Sequence, residues 1–463
     1  MSGTVPKGKA KAPCTIDIVV VGGGVAGLAC ALGLGRAGHR VVVLEEDDQT
    51  GDGGCGSRLP PNMTRILRDR WELGEEMEKT AVTIETGCVS KYETGEVLGL
   101  HPWNDAVMQQ TGASFEVMHH ADLIKMLQDA AKSFGAQIRT KCKVVSITSG
   151  SFQAHEKPTV SLASGETLTA DFIIGADGPD SSVKSLVLGK ADNPEPMGLL
   201  SWHTLIPWSA VEEDPDLEAF AQGKDVLWQH YGGGHAAVGY PLKGHGKQHF
   251  CLHAWTPDDG SFKDPGRGSW REAFPNSMMV NALGECDPRI KKLAKLGKLP
   301  SCLRVFKTSE LQDFIPPDSP VILVGDAAHS FPAGSIQQNS MVIGDAACLS
   351  EFFSHLASLD QMPTLLEAFE EVRQPRVNAI LKSESFIMHY ITASGSSRDA
   401  RDTQMRKQRE EGRGVFEDTE MFAGLLNAFN YDAVDGAAEW WMTWGTLNER
   451  TATERVDVVV SVS

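Results

Sequence analysis

The chain has 463 residues, of which 41% are hydrophobic and 22% are charged, and its formal net charge is −18 at pH 7. This length supports about two or three domains with complete cores. The negative charge argues against binding to nucleic acid phosphates or to an anionic membrane surface, and no stretch of the sequence has the apolar length that crosses a bilayer.

Nine cysteines are scattered along the chain without Cys-x-x-Cys spacing. Because this pattern is typical of a reducing compartment, we expect a cytoplasmic protein with neither a disulfide framework nor a metal site. Lys7, Lys9 and Lys11 precede a glycine-rich segment, whereas a secretory signal has a longer apolar core. We therefore expect residues 1–15 to be a disordered tail.

The first predicted elements form a βαβ unit. Residues 16–21 are apolar and β-branched, which is typical of a buried strand, and residues 25–37 predict a helix that Gly38 ends. Residues 39–45 predict a second strand. Strand, helix and strand in this order favour a parallel pair with a right-handed crossover, as in Rossmann-type domains.

Gly22, Gly24 and Gly27 form a Gly-x-Gly-x-x-Gly motif between the first strand and the helix. The first glycine allows a tight turn, the second lets the backbone approach a pyrophosphate, and the third lets helix and strand pack closely. The start of the helix, at Val25 and Ala26, then points its free N–H groups at the phosphates.

An acidic pair, Glu45 and Glu46, ends the second strand. A carboxylate at this place accepts a hydrogen bond from a ribose hydroxyl group. The unit therefore predicts a dinucleotide site, although the motif alone does not separate FAD from NAD.

The later elements alternate between strands and helices. Residues 190–319 are richer in aromatic residues, histidine and proline, and they predict a mixed sheet. Residues 394–420 are dense in charge and predict a solvated helix or a mobile segment. The remaining predicted elements are a helix at 122–134, strands at 137–139, 143–147, 159–162 and 168–169, a strand at 171–178 that ends in a sharp turn, a strand at 320–326, and a long helix after residue 340.

Two further motifs resemble those of a known family. Residues 175–181 are Gly-Ala-Asp-Gly-Pro-Asp-Ser, and residues 325–329 are Gly-Asp-Ala-Ala-His. Together with the N-terminal glycines, they resemble the single-component FAD-dependent aromatic monooxygenases of the salicylate and p-hydroxybenzoate hydroxylase type. The resemblance covers residues 16–353. It implies FAD as cofactor, NADPH or NADH as reductant, and O2 and a small aromatic molecule as substrates.

The resemblance also implies the fold class, which is α/β. A Rossmann-type FAD-binding domain is expected at 16–189 and 320–395, with an inserted mixed β-sheet substrate domain at 190–319 and a helical, charged C-terminal segment at 396–463. We expect the tryptophans near the C-terminus to pack on the body of the protein. The sequence leaves the oligomeric state open.

Several residues gain expected roles in cofactor binding from the resemblance. Asp326 follows a strand and would accept a hydrogen bond from the ribityl chain. The next helix, which starts near Gln337, Gln338 and Asn339, would aim its N–H groups at the flavin. Asp177 would serve FAD and the reductant.

Four more residues are expected around the flavin. Arg58 precedes a Pro-Pro-Asn segment and would lie near the flavin, and His120 stands where the family has an arginine that contacts the cofactor. His203 and Tyr240 are the expected catalytic residues on the wall of the substrate site, because histidine or tyrosine often deprotonates the phenol in this family.

The chain departs from the family pattern after the Gly-Asp-Ala-Ala-His motif. The family has proline, then Gly-Gln-Gly, then Glu-Asp, whereas this chain has Ala333, then 336–338 as Ile-Gln-Gln, then 344–345 as Gly-Asp. A β-branched residue does not readily take the positive φ that glycine allows. We therefore expect this loop to follow a different path and to hold FAD more loosely.

The sequence predicts a monooxygenase that uses FAD and NAD(P)H to hydroxylate a phenol or another small aromatic molecule, with or without decarboxylation. Two alternatives remain at this stage. One is a flavoprotein of the same fold that catalyses oxidation, epoxidation or rearrangement, which the altered 333–344 segment favours. The other is a non-catalytic remnant that binds FAD.

Overall fold

The structure is a computed structural model that describes residues 11–48, 55–103, 110–188, 194–244, 246–265, 272–307, 313–417 and 419–445. Its strands are β1 (Asp17–Val21), β2 (Arg40–Leu44), β3 (Gly56–Leu59), β4 (Ala81–Thr83), β5 (Thr86–Lys91), β6 (Val97–Pro102), β7 (Glu116–His119), β8 (Gln137–Arg139), β9 (Val144–Thr148), β10 (Thr159–Leu162), β11 (Thr167–Thr169), β12 (Phe172–Gly175), β13 (Glu195–Pro207), β14 (Val226–Tyr231), β15 (Ala236–Gly244), β16 (Lys247–Pro257), β17 (Lys298–Lys307) and β18 (Val321–Leu323).

The α-helices are α1 (Val25–Arg36), α2 (Pro61–Arg65), α3 (Gly74–Thr80), α4 (His120–Ser133), α5 (Ser182–Leu188), α6 (Trp208–Glu212), α7 (Glu218–Gln222), α8 (Asn276–Ala282), α9 (Pro288–Leu296), α10 (Asp326–His329), α11 (Gln338–Phe353), α12 (Met362–Ile391), α13 (Gly395–Glu410), α14 (Glu420–Asn430) and α15 (Ala433–Trp440). Short 3-10 or π turns lie at Ile66–Arg70, Pro215–Leu217, Leu359–Gln361 and Trp441–Gly445.

A five-stranded parallel sheet forms the first core, in the order β18-β12-β1-β2-β8. Its central strand β1 is buried from Ile18 to Val21, which explains the unbroken apolar run in the sequence, because a parallel sheet is covered on both faces. Helices α1 and α11 pack against each other beside this sheet. The mixed α/β fold class predicted from sequence is confirmed.

A seven-stranded mixed sheet forms the second core, in the order β17-β13-β16-β15-β14-β5-β6. Two strands of this sheet, β5 and β6, come before the predicted domain boundary at 190. They belong to the sheet because β5 pairs in parallel with β14 and β6 pairs with β5 at the edge. The predicted 190–319 segment therefore does not contain the whole sheet. The free backbone groups at the edge of a strand can pair with any strand that offers matching groups, and here β14 pairs with β5, which is distant in sequence.

The chain ends matter for how the two cores are covered. Most of the predicted tail at 1–15 lies outside the described residues, but Ala12 and Cys14 donate backbone hydrogen bonds to Ala37 and Leu356, so this part is ordered. Residues 395–440 form helices α13, α14 and α15. Trp441 stacks on His355 with ring centroids 4.3 Å apart, whereas Trp444 is exposed, so only part of the expected tryptophan packing occurs.

A buried ion cluster joins α10, α11 and α12. The Asp345 carboxylate accepts a hydrogen bond from Arg373 Nε at 2.9 Å and from the Gly325 N–H at 3.1 Å, and it lies 2.5 Å from His329 Nε2. Burial raises the pKa of Asp345, but His329 and Arg373 outweigh burial and leave this pKa below its ordinary value. The carboxylate therefore stays charged inside the protein.

Asp345→Asn should lower the free energy of unfolding by about 3–5 kcal/mol, because it leaves the fully buried Arg373 guanidinium without its counter-charge. Urea titration followed by circular dichroism measures this change. Glu166→Gln, which breaks the exposed pair between Arg139 and Glu166, is the control and should hardly move the midpoint. Equal effects of the two substitutions would contradict the structural role given to Asp345.

Candidate active site

A cavity of about 330 Å³ lies between the carboxyl ends of the parallel strands and the seven-stranded sheet. This is the edge at which open α/β sheets bind ligands. Ten residues predicted from sequence line the cavity, namely Gly24, Val25, Ala26, Arg58, His120, His203, Tyr240, Asp326, Gln338 and Asn339. The other six, Gly22, Gly27, Glu45, Glu46, Asp177 and Gln337, are not among its lining residues.

The three glycines after β1 have different geometric reasons to be glycine. Gly22 has a φ of +106°, and a Cβ there would overlap the Ala176 carbonyl group. A Cβ on Gly27 would overlap the Gly22 carbonyl oxygen, so this residue permits close packing of helix and strand. A Cβ on Gly24 would meet no atom of the described residues within 4 Å. Gly24 thus faces open space, which a pyrophosphate fits.

The two acidic residues after β2 behave differently. Glu45 Oε2 accepts a hydrogen bond from the Gly23 N–H at 2.7 Å, so its carboxylate supports the glycine loop. Glu46 is exposed and lies 3.6 Å from Lys143 Nζ. The geometry therefore supports a role for Glu45 at the dinucleotide loop and gives Glu46 only a surface ion pair.

Asp177 uses its carboxylate at the start of helix α5. Oδ2 accepts hydrogen bonds from the Ser182 N–H at 2.7 Å and from the Ser182 hydroxyl at 2.9 Å, and Oδ1 accepts one from the Ser181 hydroxyl. Its neighbours Ala176 and Gly178 line the cavity in its place. In this structure Asp177 shapes the turn that borders the cavity.

Asp326 lies at the cavity wall beside the start of α11. Its Oδ2 accepts a hydrogen bond from Gln338 Nε2 at 3.0 Å. Helix α11 has no acidic residue in its own first turn and no side-chain cap, and its N-terminal residues Gln338 and Asn339 line the cavity. The buried Gln337 side chain instead accepts a hydrogen bond from Asn62 Nδ2 at 3.1 Å.

The segment that departs from the family's sequence pattern is held by a carboxylate from α12. Neither Ile336 nor Gln338 has a positive φ, and the turn with a positive φ falls on Gly334, at +83°. The backbone N–H groups of Ile336 and Gln337 donate to the Glu384 carboxylate at 3.2 and 3.0 Å. A carboxylate from α12 therefore fixes this loop, which explains how a β-branched residue is accommodated.

Arg58 and His120 lie at the wall of the cavity from the β3 side. The Arg58 guanidinium donates to the Gly334 carbonyl group, so it contacts the departing loop directly. His120 Nδ1 lies 3.0 Å from the Ser57 hydroxyl. Both side chains are thus held near the cavity, as the resemblance implies.

His203 packs against a second histidine that the sequence did not single out. Strands β13 and β16 place His203 opposite His253, with ring centroids 3.8 Å apart, and the Ser201 hydroxyl lies 2.8 Å from His253 Nε2 and 3.3 Å from His203 Nε2. Burial, helped by the charge of Arg58, lowers the pKa of His203 to about 3. Both imidazoles are therefore neutral, since burial also lowers the pKa of His253.

A second, smaller cavity of about 60 Å³ adjoins the first one. The two share Arg58, Gly334 and Ser335, so the 333–336 loop separates them. Neither His203 nor Tyr240 lines the second cavity. The structure places both residues on the wall of the larger cavity, which contains the glycine loop.

Apart from Arg58 and the 334–336 loop, sequence reasoning missed the residues that line the second cavity. Trp255, Gln229 and Tyr231 come from the seven-stranded sheet, and Glu384 comes from α12. No motif connects these positions, because they meet only after the strands pair and α12 crosses the sheet. Alternation along β16 could have placed Trp255 on the same face as His253.

The residues of the larger cavity fit FAD. Gly24 leaves room for a pyrophosphate, and the N-termini of α1 and α11 line the cavity, where backbone N–H groups bind anions. His203 Nδ1 is buried there and has no hydrogen-bond partner in the part of the chain that the structure describes, so it offers a polar contact to a ligand.

Gly24→Ala should weaken FAD binding while leaving stability nearly unchanged, because its Cβ enters the space of the ligand and meets no protein atom. Gly27→Ala should instead destabilise the fold, because its Cβ overlaps the Gly22 carbonyl oxygen. Fluorescence titration with FAD and urea unfolding measure the two effects. The same pattern for both variants would refute this division of roles.

Asp326→Ala should weaken FAD binding about ten- to hundred-fold, because a hydrogen bond to a charged group contributes about 1.5–3 kcal/mol. Glu46→Gln is the matched control and should retain FAD, since Glu46 does not line the cavity. Fluorescence titration of both variants checks this, and unchanged affinity in Asp326→Ala would disprove a cofactor contact at this residue.

Comparison with known proteins places the chain in a family. Among its relatives, the FAD-dependent monooxygenase OpS4 of Beauveria bassiana is 27% identical over 406 residues, which cover 86% of this chain and 91% of the relative. The 3-hydroxybenzoate 6-hydroxylase of Klebsiella oxytoca is 29% identical over 406 residues, covering 86% of this chain and 94% of that enzyme.

Solved structures share the fold. A crystal structure of CtdE in complex with FAD and substrate superposes with a TM-score of 0.76 at 18% identity, covering 94% of this chain and 100% of that chain. A salicylate hydroxylase substrate complex gives a TM-score of 0.71 at 21% identity, covering 92% and 98%. Residues 15–384 match the FAD binding domain family, so the chain belongs to this family and is an FAD-dependent monooxygenase.

Proposed function

We propose that the protein hydroxylates a small aromatic molecule in the second cavity, with NAD(P)H as reductant and O2 as oxidant. One observation carries this proposal: an apolar cavity meets the cofactor cavity at Arg58, Gly334 and Ser335. A ring held there lies next to the part of the larger cavity that these three residues form.

The walls of the second cavity suit an aromatic ring. Trp103, Phe115, Leu227, Val238 and Trp255 supply apolar and aromatic surface. Such walls bind a ring by burying its apolar surface and by ring–ring contacts. Helices α14 and α12 line the other side of the cavity with mostly apolar side chains, which reduce the contact of a bound ring with water.

Bound FAD supplies the redox chemistry that takes electrons from NAD(P)H and transfers an oxygen atom from O2 to the ring. The chain positions the ring and shields the site. His203 and Tyr240 remain proposed catalytic residues, now on the cofactor side of the 333–336 loop. The Nδ1 atom of the neutral His203 has no hydrogen-bond partner among the described residues, so it can donate or accept a hydrogen bond to a ligand there.

Similarity to named relatives supports an aromatic substrate, since one of them is a 3-hydroxybenzoate 6-hydroxylase. Because the 333–338 loop is altered, a second candidate function remains, namely oxidation or rearrangement of the ring without net hydroxylation. We also propose a cytoplasmic location, because all nine cysteines are free. Among the described helices none is long and apolar enough to cross a membrane.

The test is NADPH and NADH oxidation by the purified holoenzyme in air, with and without a panel of phenols, followed by mass spectrometry of the products. We expect an aromatic substrate to stimulate oxidation and to gain one oxygen atom. A product that is oxidised without gaining oxygen would support the second candidate. Hydrogen peroxide without any product from the panel would contradict hydroxylation of phenols.

A cavity-filling variant makes this test specific. Val238→Phe places a ring inside the second cavity, so substrate stimulation should fall at least about ten-fold while FAD is retained. Val305→Phe is the control, because Val305 is equally buried in the same sheet and lines neither cavity. Stimulation that survives Val238→Phe would place the reacting ring elsewhere.

A further inference from the structure

A buried carboxylate reaches the second cavity from α12. Glu384 has 2% of its surface exposed, and its two oxygens accept hydrogen bonds from the N–H groups of Gln337 at 3.0 Å and Ile336 at 3.2 Å. The same side chain lines the second cavity. A carboxylate has about four acceptor positions, so one remains after the two backbone bonds and the hydrogen bond with the Ser335 side chain.

The charges around the second cavity cancel. Among the described residues that line it, Arg58 and Glu384 are the charged ones. Burial raises the pKa of Glu384 above its ordinary value, although Arg58, the two backbone N–H groups and the Ser335 side chain oppose this rise. Arg58 already donates to the Gly334 carbonyl group. With Glu384 ionised, the pair is neutral overall, and no described lining residue offers a second cation.

This balance disfavours an anionic ligand. An aromatic carboxylate would add a second negative charge beside Glu384 in an apolar cavity, where unpaired charge is costly. An uncharged ring avoids that cost. A ring that carries an O–H or N–H group gains further, because a charged acceptor makes the stronger class of hydrogen bond.

We propose that the substrate is an uncharged aromatic molecule with an O–H or N–H donor, that Glu384 accepts this hydrogen bond, and that aromatic carboxylates are excluded. This inference rests on the proposed function, since it concerns the same cavity. It makes Glu384 a specificity residue that also fixes the 336–337 backbone. One carboxylate thus connects the path of the loop to the choice of substrate.

Three ligands with one ring test the proposal. Phenol is neutral and donates a hydrogen bond, anisole is neutral without a donor, and benzoate is anionic. Equilibrium dialysis against the full chain with excess FAD, at pH 7, should show phenol binding about ten-fold tighter than anisole. Benzoate should bind most weakly. Benzoate binding as tightly as phenol, or anisole matching phenol, would overturn the proposal.

A matched pair of variants assigns the effect to Glu384. Glu384→Gln keeps the shape but removes the charge, so it should strengthen benzoate binding about ten-fold and narrow the preference for phenol over anisole. Glu370→Gln is the control, because Glu370 lies on the same helix, accepts a hydrogen bond from the Phe314 N–H and lines neither cavity. It should leave all three affinities unchanged.

Binding and turnover separate this inference from the proposed function. If the expected affinity order appears but no phenol is hydroxylated, the inference about ligand charge holds and the proposed reaction fails. If phenols are hydroxylated but Glu384→Gln changes none of the affinities, the reaction holds and the role of Glu384 is wrong.

Discussion

The buried carboxylate of Asp345 holds together the parts of the protein that form the active site. It binds Gly325 at the start of the Gly-Asp-Ala-Ala-His turn, and it binds Arg373 on α12. Eleven residues further along that helix, about 16 Å at the rise of an α-helix, Glu384 holds the 336–337 backbone. Asp345 therefore fixes helix α12 to the cofactor domain, and Glu384 on the same helix holds the 336–337 backbone.

The 333–336 loop divides one face of the seven-stranded sheet into two environments. A Cβ on Gly334 would overlap His253 and would lie 2.7 Å from Trp255, so the loop backbone rests directly on these two rings. His203 and His253 line the larger cavity, whereas Trp255 lines the smaller cavity. Close packing at Gly334 thus separates the wall that the two neutral histidines form from the apolar wall that contains Trp255.

The replacement of glycines in this loop is compensated by side chains from other elements. Gln338 donates to Asp326, and Glu384 accepts from two backbone N–H groups. Positive φ is confined to Gly334. The sequence predicted a different loop path and looser FAD binding because the family's glycines are absent here. The structure shows that side chains hold this loop through hydrogen bonds, and the looser FAD binding stays a prediction.

The sequence by itself determined the cofactor domain, because the glycine motif, the flanking strands and Asp326 follow one another at short spacings whose geometry is local. It also predicted residues at the cofactor cavity, such as Arg58 and His120. Only the tertiary structure decided that His203 lies on the cofactor side and that Glu384 enters the second cavity. Both depend on strand pairing and helix crossing between residues far apart in the chain, which no local pattern encodes.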